Sequence, residues 1–110
     1  MRKNQILIVE DEEKLMRTMS DYLKLQGYGV LCASDGPEAL RVFFQNHKEI
    51  DLVLLDVMLP GMDGYEVLQE IRRIVDVPVI MITARSSIED QMNGFERGAD
   101  DYITKPYTLG

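Results

Sequence analysis

The feature that most constrains this chain is an alternation. Short apolar runs, QILIV (5–9), YGVLCA (28–33), DLVLL (51–55), VPVIMI (77–82) and DYI (101–103), are separated by longer amphipathic segments. The runs are rich in β-branched residues, as strands covered on both faces tend to be. The segments between them repeat apolar residues at helical spacing: Leu15, Met19, Tyr22, Leu23 and Leu25, then Ala39, Leu40, Phe43 and Phe44, then Tyr65, Val67, Leu68 and Ile71. Gly36-Pro37 opens the second segment in a cap-then-Pro arrangement, and Ser86-Ser87-Ile88-Glu89 opens a fourth as a capping box that Gly98 closes. Strand and helix alternating in this way predict a parallel α/β sheet with right-handed crossovers. A closed barrel of this type needs eight such units. An open, doubly wound five-stranded sheet is therefore expected.

The chain forms one domain, residues 1–110. After Pro106 only Tyr107 to Gly110 remain, too few for a helix behind the last strand. The fifth helix is thus expected to be missing. Either the chain is truncated before that helix or another chain covers the sheet there, and truncation is the expectation. Hydrophobic residues make up 45% and charged residues 28%, the balance of an ordinary globular domain. The longest apolar stretches are too short to cross a bilayer, and MRKNQ leads straight into the first strand with no apolar leader. A cytoplasmic protein is expected. Twelve basic against nineteen acidic side chains leave a net charge of −7, which repels nucleic acid and anionic lipid. One cysteine, Cys32, and one histidine, His47, exclude an internal disulfide and the usual zinc ligand sets.

In an open α/β sheet ligands bind beyond the carboxyl ends of the strands, so the residues that follow each apolar run carry the functional signal. ILIV is followed by Glu10-Asp11-Glu12-Glu13, LVLL by Asp56, VIMI by Thr83-Ala84 and YI by Thr104-Lys105-Pro106. All these ends share one rim, so Glu10, Asp11, Asp56, Thr83 and Lys105 should converge. Crowded carboxylates repel and stay ionised together only around a cation. Oxygen donors without thiolate or imidazole select Mg2+ or Mn2+. EDEE in the first loop also argues against a flavin or dinucleotide phosphate, which a glycine-rich loop would cradle. Asp56, nearest the centre of the rim, is the natural nucleophile for a phosphoryl group. Lys105 would then neutralise the new dianion and the Thr83 hydroxyl would donate to it.

Glu10-Asp11, Asp56, Leu59-Pro60-Gly61-Met62-Asp63-Gly64, Thr83-Ala84, Gly98-Ala99-Asp100-Asp101-Tyr102 and Lys105-Pro106 together resemble the receiver domain of two-component response regulators, most of all the OmpR/PhoB-like class. The resemblance covers residues 5–107. It implies a flavodoxin-like sheet of order 2-1-3-4-5 and an Asp56 that takes a phosphoryl group from a sensor histidine kinase. It implies Mg2+ held by Asp11, Asp56 and the Met58 carbonyl, with Glu10 acting through water. Lys105 and Thr83 would bind the phosphoryl oxygens, Tyr102 would turn inward with Thr83 as the switch, and Lys105-Pro106 would be cis. It also implies a homodimer through the fourth helix, fifth strand and fifth helix, with Asp100 or Asp101 paired to a basic residue on that last helix. Without the fifth helix, exchanged-segment association is the other route to a dimer. DNA contact would belong to an output domain outside this chain.

Two other functions fit less well. An Mg2+-dependent aspartate-nucleophile hydrolase of the haloacid dehalogenase kind would want a second Asp where Met58 stands. A pseudo-receiver would have lost Asp11, Asp56 or Lys105, and all three are present. Structural readings are simplest elsewhere. Glu12 and Glu13 suit the first turn of a helix, Asp63 serves the turn with Gly64, His47 is a solvated loop residue, Cys32 is inert in its strand, and the methionines fill core.

Overall fold

The computed structural model describes residues 4–83 and 101–104, with Thr83 and the last four described by backbone alone. In chain order the elements are β1 (Gln5–Val9), α1 (Glu13–Leu25), β2 (Gly29–Ala33), α2 (Gly36–Asn46), β3 (Ile50–Asp56), α3 (Gly64–Arg72), β4 (Val79–Thr83) and β5 (Asp101–Thr104). All neighbouring strands are parallel and the order is β2-β1-β3-β4-β5. This is the expected flavodoxin-like sheet. The helix anticipated between Ser86 and Gly98 lies outside the described residues.

The two helical layers divide the strand residues by parity, because successive side chains of a strand point to opposite faces. Leu7, Val9, Val53, Leu55, Val79 and Met81 cluster with Ala39 and Phe43 of α2 and Leu68 and Ile71 of α3. Ile6, Ile8, Leu54 and Ile82 cluster instead with Met19 of α1, flanked by Leu15, Met16 and Leu23. Strands buried on both faces are the reason the runs read as continuous hydrophobics.

Details at the ends depart from the expected boundaries. The run at 77–82 becomes strand only from Val79, since Pro78 has no N–H for the ladder. Its carbonyl nonetheless accepts from the Val53 N–H at 3.0 Å. Leu25, expected on the core stripe of α1, is 84% exposed. It follows Leu23 by two residues, about 200° around the helix, whereas Leu15, Met19 and Leu23 recur at i, i+4 spacing. Cys32 is exposed as well, although its strand reads as buried. β2 is an edge strand with a neighbour on one side only, and the helical layers cover it incompletely.

One irregularity in the sheet serves the rim. β1 pairs Gln5 with Ile50 but Ile6 with Leu52, which leaves Asp51 as an extra residue. The Asp51 carboxylate accepts from the Gln5 N–H at 2.8 Å, satisfying a donor at the point where the register shifts. Beyond it the pairing runs regularly to Val9 with Leu55. The next residue on each strand is an acid, Glu10 and Asp56.

Two substitutions test this packing. Phe43→Ala, at a site with no exposure, is expected to lower the unfolding free energy by about 3–5 kcal/mol in urea denaturation. Cys32→Ser should change it by no more than about 0.5 kcal/mol, because the thiol lies outside the core.

Candidate metal centre at the carboxyl rim

β1 delivers Glu10 and Asp11, and β3 delivers Asp56. Glu10 is fully buried and Asp56 is 3% exposed, whereas Asp11 faces solvent. One carboxylate oxygen from each of the three lies within 4.8 Å of the others. Glu10 Oε2 accepts from the Glu12 N–H at 3.1 Å and Asp56 Oδ1 from the Met58 N–H at 3.0 Å, so the backbone itself orients the two buried acids. A cleft of about 600 Å³ opens over them, lined by Glu10, Asp11, Glu12, Asp56, Met58, Leu59 and Pro60.

Two unit charges at such a separation repel by roughly 3.5 kcal/mol at an effective dielectric of about 20. Burying Glu10 beside Asp56 therefore demands compensation, to which the two backbone N–H groups contribute. A hard divalent cation would contribute further. The donors are all oxygen, and the cleft is wide enough for the waters that Mg2+ retains. The residues present fit that ion.

The segment after Asp56 is built to hold this arrangement. Gly61 adopts φ +76, a left-handed conformation that glycine reaches without strain, one residue after Pro60. Asp63 then caps α3, its Oδ1 accepting from the Tyr65 N–H at 2.7 Å. Its carboxylate is thereby engaged at the helix start and stands outside the acidic cluster, in keeping with a turn role. Val57, directly after the acid, is tied to both sides: its N–H donates to the Ile82 carbonyl at 3.0 Å, and its carbonyl accepts from the Gly64 N–H at 2.8 Å.

Of the residues singled out in the sequence, Glu10, Asp11, Asp56 and Met58 come together on this rim. Thr83 ends β4, one step beyond Ile82, the partner of Asp56 in the sheet. Tyr102 pairs with Met81 in β5, and Thr104 pairs with Thr83. The side chains of Thr83 and Tyr102 lie outside the described residues, as do Lys105 and Pro106. Glu12, expected in the first helical turn, occupies the N-cap position of α1, makes no capping bond through its side chain and lines the cleft. Its adjacency to Glu10-Asp11 was the available signal. Glu13 does sit in the first turn, paired with Arg17 at 2.8 Å. Met58 is 58% exposed and does not fill core. His47 ends α2 beside the Phe44 carbonyl, with Nδ1 at 3.1 Å, far in sequence from the acidic rim. Among the described residues no helix is long and apolar enough to cross a membrane.

Comparison with known proteins agrees with this geometry. The family model for the response regulator receiver domain matches residues 6–110. The protein named "Probable transcriptional regulator ycf27" in Porphyridium aerugineum is 47% identical over 108 residues, covering 98% of this chain and 44% of that protein. Its namesake in Guillardia theta is 48% identical over 107 residues, covering 96% and 41%. The chain thus spans less than half the length of these curated relatives. Among solved structures, a receiver domain protein from Clostridium thermocellum superposes with a TM-score of 0.90 at 32% identity, covering 96% of this chain and 85% of that one. The BeF3-activated N-terminal receiver domain of Klebsiella pneumoniae RstA gives 0.88 at 32% identity, covering 96% and 88%.

If the three acids repel as their geometry requires, Asp56→Asn in EDTA-containing buffer should be more stable than the native chain, by about 1 kcal/mol or more in chemical denaturation. A variant no more stable than the native chain would show that the cluster is relieved without a cation.

Proposed function

Because the chain belongs to the response regulator receiver domain family, we propose that Asp56 is its phosphoacceptor and that the three-acid rim is the Mg2+ site that makes the transfer work. The observation that carries this reading is the convergence of Glu10, Asp11 and Asp56 within 4.8 Å at the carboxyl edge of a parallel sheet. In the proposed step an Asp56 carboxylate oxygen bonds to phosphorus while the phosphorus–nitrogen bond of a kinase phosphohistidine breaks, and the imidazole leaves with the bonding pair. Reversal of the charge switch is hydrolysis, in which water attacks the acyl phosphate and releases inorganic phosphate.

The residues divide the work. Asp11, Asp56 and the Met58 carbonyl would hold the metal directly, and Glu10 would hold it through water. When bound, Mg2+ neutralises charge on the transferring phosphoryl oxygens. Mn2+ suits the same donors. The hydrogen bond from the Met58 N–H to Oδ1 orients the Asp56 carboxylate for attack. Lys105 and the Thr83 hydroxyl would bind the remaining phosphoryl oxygens, and Tyr102 would follow Thr83 as the switch. Because transfer is loose and largely dissociative, positioning and charge neutralisation are the whole of the catalysis asked of the protein. The chain is a signalling switch that modifies itself.

The wider role follows the curated relatives, whose names describe transcriptional regulators and whose length exceeds this chain by more than half of their own. We assign it to the OmpR/PhoB-like class, with a sensor histidine kinase as phosphodonor, a DNA-binding output beyond these residues and pairing between receivers as the readout. The aspartate-nucleophile hydrolase gains no support from the structure, since the place of its second acid is taken by the exposed thioether of Met58.

Intact-mass spectrometry after incubation with phosphoramidate and Mg2+ tests the chemistry. One phosphoryl adduct is expected, abolished by EDTA and by Asp56→Asn. A folded native chain that acquires no adduct, or one that persists in Asp56→Asn, would overturn the assignment.

A further inference from the structure

α3 begins in direct contact with the peptide that carries Asp56. Gly64, its first residue, is buried, and its N–H donates to the Val57 carbonyl at 2.8 Å. A Cβ at Gly64 would sit 2.9 Å from Val57 Cα and 3.1 Å from the Asp56 carbonyl carbon, and closer still to the Asp56 carbonyl oxygen. These neighbours are backbone, so they cannot rotate away as a flexible side chain would. The same peptide is held from the other side, where the Val57 N–H donates to the Ile82 carbonyl of β4. It is therefore clamped between β4 and the first turn of α3. The direction of the Asp56 side chain and the position of Met58, which is bonded back to Asp56 Oδ1 at 3.0 Å, both depend on it.

From this contact we infer that Gly64 is a positioning residue for the metal centre: the absence of a side chain at the start of α3 sets where Asp56 stands relative to Glu10 and Asp11. The inference rests on the Mg2+ reading given above. Two opposing effects meet at this position. Alanine is the better helix former, so local propensity favours the substitution. The approach of backbone to backbone opposes it. If the clash dominates, Ala pushes α3 outward or tilts the Asp56–Val57 peptide, and the three carboxylates lose their common focus.

The deciding quantity is Mg2+ affinity, measured by isothermal titration calorimetry on the whole chain, with circular dichroism to establish folding. Gly64→Ala is expected to weaken Mg2+ binding by about tenfold, as loss of an outer-shell support does in other metal sites. A role confined to stability would lower the melting temperature and leave the affinity of the folded protein unchanged. Should Gly64→Ala fail to fold, Asp63→Ala carries the test, since it removes the cap on Tyr65 and loosens the same turn without adding volume at Gly64. It should weaken Mg2+ by about fivefold, the size of a lost helix cap, whereas Asp63→Asn, which keeps the cap and removes the charge, should stay near the native value. A folded Gly64→Ala that binds Mg2+ as the native chain does overturns the inference alone. So does an Asp63→Ala with native affinity when Gly64→Ala is unfolded. A native chain that binds no Mg2+ overturns the metal reading, and this inference with it.

Discussion

Everything on the functional rim depends on the repulsion among carboxylates that the β1–β3 pairing brings together. A parallel register that ends with Val9 opposite Leu55 makes the next residues, Glu10 and Asp56, neighbours at the end of two buried strands. Neither can move away, because both are buried and tied by backbone N–H groups of the following loop. A chain that holds two acids this way creates an electrostatic demand that a bound cation would answer. The acidic cluster is thus a property of the sheet register before it is a property of any loop.

That register is maintained far from the site. The extra residue Asp51 absorbs a one-residue shift at the opposite end of β3 and satisfies the Gln5 N–H with its own carboxylate. Without such a shift every inward side chain of β3 would exchange faces, and the parity that sends Val53 and Leu55 toward α2 and α3 and Leu54 toward α1 would fail. Core and site consequently share one constraint. The polar bond at the amino end of the sheet helps decide which residue stands at the carboxyl end.

The segment from Met58 to Gly64 shows how a loop is given one conformation. A left-handed Gly61, a capping Asp63 and a Gly64 seated on backbone leave little freedom between β3 and α3. Met62 adds a contact to the neighbouring helix, since a Cβ on Gly36 at the start of α2 would meet the Met62 Cβ at 2.5 Å. Loops at the carboxyl ends of parallel strands carry function because the scaffold beneath them is rigid. Here the first turns of two helices extend that rigidity into the loop.

The sequence by itself determined the fold class and the meeting of the three acids on one rim. Periodicity separates strand from helix, every boundary signal is local, and acids placed immediately after apolar runs must share a rim once the strands are parallel. Glu10, Asp11 and Asp56 were legible for that reason, and Met58 only through the family resemblance. Leu25, Cys32 and Glu12 were not, because burial depends on where a helix stripe or a sheet ends, and no periodicity records an edge. Only the tertiary structure decided the shift at Asp51, the clamp on the Asp56 peptide and the need for a bare Cα at Gly64. Each arises where backbone from one element meets backbone of another, and the distance between two such segments is set by the packing of the whole domain and written in no single stretch of the chain.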